Sequence, residues 1–335
     1  MKATVHRFVW PLLLSLASTC ATCVSGVCFA QTVAGGAAAY PAKIIRVVIP
    51  WPGGSNDAAG RMVFQKIAES VGQPVVIDNR PGAAGTIGAT LVARTPPDGY
   101  TVMVTSASIV SNMHLYKKLP YDVMKDFIGI TPLAAQIGVL VVHPSLPVKS
   151  VKELIVFAKK NPNQILYGSS GSGSFLHLAM AHLDALAGSR MVHVPYKGGD
   201  AAGISLIAGE TQAMIATTAV VMPLLPAQRV RALGVTSDKR ISKLADIPTL
   251  AEAGVPGYEF SAWVAAFVPA GTPRAIVDKL SAEIKKALAH SDVTGRFGNI
   301  ALEPMFMTAE QFAARMKADS EMYAKLIALT GAQVN

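Results

Sequence analysis

The 335-residue chain holds three cysteines, Cys20, Cys23 and Cys28, and none beyond them. All three fall in a segment that reads as a secretory leader: Lys2 and Arg7, an apolar stretch from Phe8 to Ala17, then small residues up to Ala30. Cleavage after Ala30 is expected, and the mature chain then has no thiol, which excludes disulfides, thiolate metal sites and a cysteine nucleophile. None of the three cysteines has the usual apolar and small residues before it for a lipid anchor. Past the leader, no run of roughly 18 apolar residues appears, so no membrane span is expected and an exported, periplasmic protein is. Acidic residues are the scarcer charge, 21 against 30 basic, and the net charge of +9 becomes +7 once Lys2 and Arg7 leave. The basic residues are scattered, at Lys117-Lys118, Lys159-Lys160, Lys285-Lys286 and between Arg229 and Lys243, without interleaved aromatics. That argues against nucleic acid as a partner and for attraction of small anions.

Catalytic and cofactor signatures are lacking too. There is no GxxxxGK[ST] loop, Gly171-Ser172-Gly173 lacks the third glycine of a dinucleotide fingerprint, and no GxSxG elbow occurs. His114, His143, His177, His182, His193 and His290 form no HExxH and have no carboxylate at metal spacing. No catalytic residue, metal or cofactor is therefore expected.

What is present is a repeated strand–turn–helix grammar. Ile44 to Ile49 is a β-branched run stopped by Pro50-Trp51-Pro52-Gly53-Gly54, and Ser55, Asn56 or Asp57 is predicted to cap the helix that follows. Such a turn aims unpaired backbone N–H groups into a crevice and suits an anion. Gln73 to Arg80 and Tyr100 to Thr105 are further strands, with a small-residue helix from Ile87 to Arg94 between them, which implies a parallel sheet. Ser106 and Ser108 lie at the end of the third strand, where ligands of open sheets gather. Ser150 is a plausible cap for the helix after His143-Pro144.

A second half repeats the pattern. Ile165 to Tyr167 leads into seven consecutive Gly and Ser residues, Gly168 to Ser174, and then a helix from Phe175 to Leu186. Met191 to Pro195, Thr211 to Thr218 and Val230 to Thr236 are strands, and Asp246 to Gly254 is predicted as a short capped helix. Ile276, Leu280, Ile284 and Leu288 form one helical stripe, and a last helix from Thr308 or Ala309 to about Leu329 turns Phe312, Met316 and Leu326 inward. These C-terminal helices are expected to close the first sheet. The layout is then lobe 1 over 41–136 plus 264–335, lobe 2 over 137–263, and hinge strands near 137–144 and 260–268, with closure around a ligand.

Several residues read two ways. Asp57 and Asp200 each follow a glycine turn at a helix start, where capping and ligand contact both fit. His177 either braces the Gly/Ser turn or donates to a ligand oxygen. Trp263 is either core or a cover for a bound organic acid. The strand from Thr211 to Thr218 carries two hydroxyls at its end, Thr217 and Thr218, and Tyr196-Lys197 follows another strand. Ser174 and His177, three apart, also leave a serine hydrolase open, although no acid orients the histidine.

Taken together, Pro50 to Asp57 with Arg61, Asn79 to Gly85, Pro97 to Tyr100, Tyr167 to Ser174 with His177-Leu178, Val194 to Gly198, Ile247 to Thr249 with Glu252 to Gly254, and Pro269 to Pro273 resemble the Bug-type receptors of tripartite tricarboxylate transporters. The resemblance implies a two-lobed periplasmic-binding-protein fold of α/β class (Venus flytrap, type II-like). It also implies a monomer that passes a small organic acid to membrane permease subunits; a receptor serving a membrane kinase would look the same. Gly53, Gly54, Ser55, Asp57, Ser169, Ser170, Gly171 and Ser174 are the implied carboxylate contacts, with Trp51, Asn56, Ser106, Ser108, His177, Tyr196, Lys197, Asp200, Thr217 and Trp263 completing the expected ligand site. Ala84, where the family commonly has glycine, and Thr217-Thr218-Ala219 depart from the pattern.

Overall fold

The computed structural model describes residues 40–330; the leader and its cleavage after Ala30 lie outside them. The first part of the chain runs β1 (Ile45–Ile49), α1 (Gly54–Val71), β2 (Val75–Asn79), α2 (Thr86–Ala93), β3 (Thr101–Ser106), α3 (Ser108–Leu115), α4 (Val123–Asp126) and β4 (Phe127–Gln136). The middle part runs β5 (Gly138–Val142), α5 (Val151–Lys160), β6 (Leu166–Ser169), α6 (Phe175–Ala187), β7 (Val192–Pro195), α7 (Gly199–Ile207), β8 (Ala213–Thr217), α8 (Thr218–Val221) and β9 (Arg231–Val235). The chain then returns as β10 (Ala262–Pro269), α9 (Arg274–Ala289), α10 (Ser291–Asn299), β11 (Glu303–Pro304) and α11 (Ala309–Thr330).

Two mixed sheets result, ordered β11-β4-β10-β3-β1-β2 and β7-β6-β8-β5-β9. β1 pairs in parallel with β2 and β3, while β10 lies antiparallel between β3 and β4. The first sheet is thus mixed, where its opening strands alone imply a parallel one. Alternation along β1 divides its two faces. Ile45, Val47 and Ile49 pack with Phe64 and Ile67 of α1 and with α9 and α10. Val48 points the other way, into a core that includes α2, α3 and α11 and continues into the second sheet. The predicted α9 stripe is buried, with Ile276, Leu280, Ile284 and Leu288 all under 8% exposed.

Both passages between the sheets occur at one place. β4 ends in the first sheet at Gln136 and β5 opens the second at Gly138, while β10 re-enters the first sheet at Ala262, directly paired with Gln136. The strand from 137 therefore belongs wholly to the second sheet, and the strand from 262 wholly to the first.

Three local expectations need correction. β4 was not anticipated, because Gly129 and Pro132 interrupt its apolar pattern. The structure tolerates Pro132 because the β4–β10 register shifts there, pairing Val264 with Ala134 but Ala265 with Pro132. Residues 246–254 make turns in place of a helix, even though Thr249 and Glu252 exchange both bonds of a capping box, at 3.1 and 2.9 Å. Gly254 at φ +115° and the following Val255-Pro256 stop propagation there. Finally, α1 begins earlier than predicted. Its N-cap is Gly53 without a side-chain cap, so Ser55, Asn56 and Asp57 sit inside the first turn. Ser150 does cap α5, accepting from the Glu153 N–H at 3.2 Å.

Candidate functional site

The first turn of α1 is where the geometry becomes chemical. Its leading N–H groups have no intrahelical acceptor, and its N-cap, Gly53, has no side chain to cap them. Ser55 and Asn56 are almost wholly buried, yet Ser55 Oγ and Asn56 Oδ1 have no hydrogen-bond partner. They face a small chamber of about 20 Å³ shared with Gly53, Gly54, Ser106, Ser108, Gln136, Ser170, Ser174 and Thr217. Gln136 Oε1, from the end of β4, and Thr217 Oγ1, from the end of β8, are likewise buried and unpartnered. Four unsatisfied oxygens converging from both sheets are an exception to the rule that buried polar groups pair. The chamber is of the size of one water molecule or a carboxylate head.

The second turn closes the chamber from the other sheet. Ser169 Oγ bonds His193 Nε2 at 2.6 Å and accepts from the Gly171 N–H at 3.1 Å, which folds the Gly/Ser segment back on itself. Ser174 caps α6 by accepting from the His177 N–H at 3.3 Å. His177 Nδ1 in turn accepts from the Gly173 N–H at 3.0 Å, and its ring stacks on His193 with centroids 3.9 Å apart. Burial holds the His177 pKa down to about 4, and burial together with the His177 charge holds His193 down to about 3, so both rings are neutral at ordinary pH. These neutral rings brace the turn.

Polar contacts tie the two halves at the chamber's edges. Ser108 Oγ accepts from the Phe175 N–H at 3.1 Å, and Ser111 Oγ donates to Gly173 O at 3.3 Å. On the far side of Gly53, the Asp200 carboxylate accepts from the Gly54 N–H. Desolvation raises the Asp200 pKa, the neighbouring Asp57 charge adds to this, and the Gly54 bond opposes it. The contact is close: a Cβ on Gly53, whose φ is +70°, would lie 2.1 Å from Asp200 Oδ2.

A larger chamber of about 280 Å³ adjoins the small one, with Trp51 and Ser170 lining both. Gly171, Tyr196 and Lys197 border it, as do Ala84 and Tyr116.

Of the residues expected from sequence, Trp51, Gly53, Gly54, Ser55, Asn56, Ser106, Ser108, Ser170, Gly171, Ser174, Tyr196, Lys197 and Thr217 line these chambers. Five do not. Ser169 and His177 hold the turn from behind, and Asp200 spans Gly53 from outside. Asp57 bonds Arg61 at 2.7 Å and Asn79 at 2.9 Å. Trp263 is fully buried, with Nε1 donating to Asp319 Oδ2 at 2.7 Å beneath α11, so it covers no ligand. Sequence reasoning missed Gln136, although a lone amide ending an apolar strand at a change of sheet is a readable signal. It also missed Tyr116, which carries no local motif.

A cleft between two sheets, floored by a helix N-terminus and orphaned polar atoms, defines a periplasmic-binding-protein fold. The same fold is found in Rhodopseudomonas palustris Rpa4515 solved with adipate (TM-score 0.85, 34% identity, 88% of this chain and 100% of that one). It is found again in the periplasmic binding protein BugD (TM-score 0.84, 30% identity, 88% and 99%). The malate-bound MatC of Rhodopseudomonas palustris is similar at TM-score 0.82 and 28% identity, over 86% and 100%. Residues 59–331 match the tripartite tricarboxylate transporter family receptor, and the chain belongs to that family. Among sequence relatives are a Pseudomonas sp. strain P51 protein from the tcbD–tcbE intergenic region, 38% identical over 91% of this chain and 92% of that one. BugT of Bordetella pertussis is 31% identical over 88% and 91%.

Proposed function

We propose that this protein is a periplasmic receptor that captures a small organic acid between its two lobes and delivers it to the permease of a tripartite tricarboxylate-type transporter. The lobes follow the two sheets, 41–136 plus 262–335 and 138–260, two residues off the boundary expected at 263–264, and turn about the crossings at Ile137 and Ser261. One observation carries the reading: the unpartnered Ser55 and Thr217 hydroxyls, and the Asn56 and Gln136 side-chain amides, whose NH2 groups donate once the amide turns over, converge from both sheets on a carboxylate-sized chamber at the N-terminus of α1. Hydroxyls there donate to an anion, and the first-turn N–H groups and the helix dipole add to the attraction without a bound cation. Each charge-assisted hydrogen bond contributes about 1.5–3 kcal/mol, so four or five offset the desolvation of one carboxylate. The adipate and malate named with the similar structures support the ligand class.

The serine hydrolase reading is weaker on these atoms. Ser174 Oγ is committed as a helix cap, and His177 Nδ1 is occupied by a backbone N–H. Among the described residues no carboxylate bonds either ring of the His177–His193 pair, and neither imidazole bonds the Ser174 hydroxyl, which meets only the His177 backbone N–H.

A thermal-shift panel of mono-, di- and aromatic carboxylates tests the proposal. A true ligand at one hundred times its dissociation constant adds about 2.7 kcal/mol to stability. Absence of a shift with every acid in the panel overturns it.

A further inference from the structure

We infer that the acid this receptor takes is a monocarboxylate with a flat aromatic body, of the benzoate type, its carboxylate in the small chamber and its ring in the large one. The inference rests on the carboxylate reading above and adds the chemistry of the other end of the ligand. The large chamber, about 280 Å³, is walled by Trp51, Tyr116 and Tyr196 and by Pro50, Pro52 and Pro81. An apolar cavity of about 150 Å³ already holds benzene, so a substituted ring fits with room to spare. Trp51 lines both chambers, which places an indole beside the junction where a ring bonded directly to a carboxylate must lie. Offset or edge-on ring contacts with Trp51, Tyr116 and Tyr196 are then within reach.

The same walls are poorly suited to a second carboxylate. Three prolines carry no N–H to donate, and the buried, unpartnered Trp51 Nε1–H belongs to the residue that lines both chambers, at the carboxylate end of the ligand. The Tyr196 hydroxyl is turned toward Glu210, at 3.5 Å, and leaves its ring for the chamber. The one cationic side chain of the lining, Lys197, is solvent-exposed at the rim, where attraction is screened. A distal anion would lose hydration on entering and gain little in return. A ring loses only apolar surface to water and gains dispersion with the walls.

Titration calorimetry on the mature protein tests this with benzoate, cyclohexanecarboxylate, adipate and malate, on wild type and on Tyr196→Leu. Leucine keeps the site apolar but removes the ring, and the melting temperature of the free variant checks that it folds. The expected result is that benzoate binds at least tenfold tighter than adipate or malate. Tyr196→Leu should then weaken benzoate three- to tenfold and leave cyclohexanecarboxylate within twofold. Tighter binding of adipate or malate than of benzoate overturns the aromatic inference and leaves the carboxylate receptor standing. So does an equal effect of Tyr196→Leu on benzoate and cyclohexanecarboxylate. If none of the four acids binds, the failure reaches the receptor reading itself.

Discussion

Thr217 carries the receptor proposal at the scale of a single side chain. Its hydroxyl is buried without a partner, and such a group costs the fold about 1–3 kcal/mol. Thr217→Val keeps the shape and removes the orphan. The expected outcome is a free protein more stable by about 1 kcal/mol in urea unfolding, with carboxylate affinity at least tenfold lower by calorimetry. Gly53 makes the opposite point, since it is constrained by what lies against it. Gly53→Ala would drive its methyl into the Asp200 carboxylate and strain a left-handed φ. It should lower the melting temperature by several degrees and abolish the ligand-induced shift. Adding Asp200→Ala should recover part of both losses, because the two sites share one contact.

Elements carry their own predictions. The turn before α2 holds Ala83 and Ala84 at φ 46° and 51°, conformations that cost an L-residue about 1–2 kcal/mol. Ala84→Gly should therefore raise the urea midpoint, for a gain in stability of up to about 1 kcal/mol after the greater unfolded-chain entropy of glycine is counted. An unchanged denaturant slope would mark the effect as local. At α6 and β7, the His177–His193 stack sets an acid limit. An unfolded histidine takes its proton near pH 6.5, whereas the folded pair waits until about 4 and about 3. Between those values the unfolded chain binds more protons, so stability is complete above 6.5 and falls as pH falls. Each ring removes about 1.4 kcal/mol per pH unit across that window. Urea unfolding at pH 7.5 and pH 5 should differ by about 2–4 kcal/mol, and His193→Phe should flatten the slope.

The same scale explains what could be read from the chain beforehand. β1, β2, β3, the Gly/Ser turn and the α9 stripe announce themselves because period and punctuation agree in each. β4 does not, since Gly129 and Pro132 mask a strand held by β10 and β11, both far away in sequence. The Thr249–Glu252 pair reads as a helix start and becomes a turn, because a capping box satisfies donors but cannot propagate past Gly254 and Pro256. Within the site, both glycine turns were legible from local pattern. Gln136 and Tyr116 reach it through the tertiary path of the chain, and the fully buried position of Trp263 depends on α11, far away in sequence.

At the scale of the molecule, the two sheets are joined by a pair of crossings and stitched at the cleft by Ser108, Ser111 and Asp200. Because no cysteine follows Cys28, thiol labels can be introduced without background in protein that begins at Gln31. Dyes on Lys159→Cys in α5 and Lys285→Cys in α9 should change their energy transfer when a carboxylate is added. Unaltered transfer in a sample that binds ligand by calorimetry would argue against hinged capture. Gln136 gives that motion a kinetic meaning. In the proposed complex its unpartnered side-chain amide turns its NH2 to the carboxylate, while its backbone is paired with Ala262 beside the crossing. An occupant that engages this amide cannot depart while the axle stays seated, so residence time and opening frequency become one quantity, and escape should follow a single exponential.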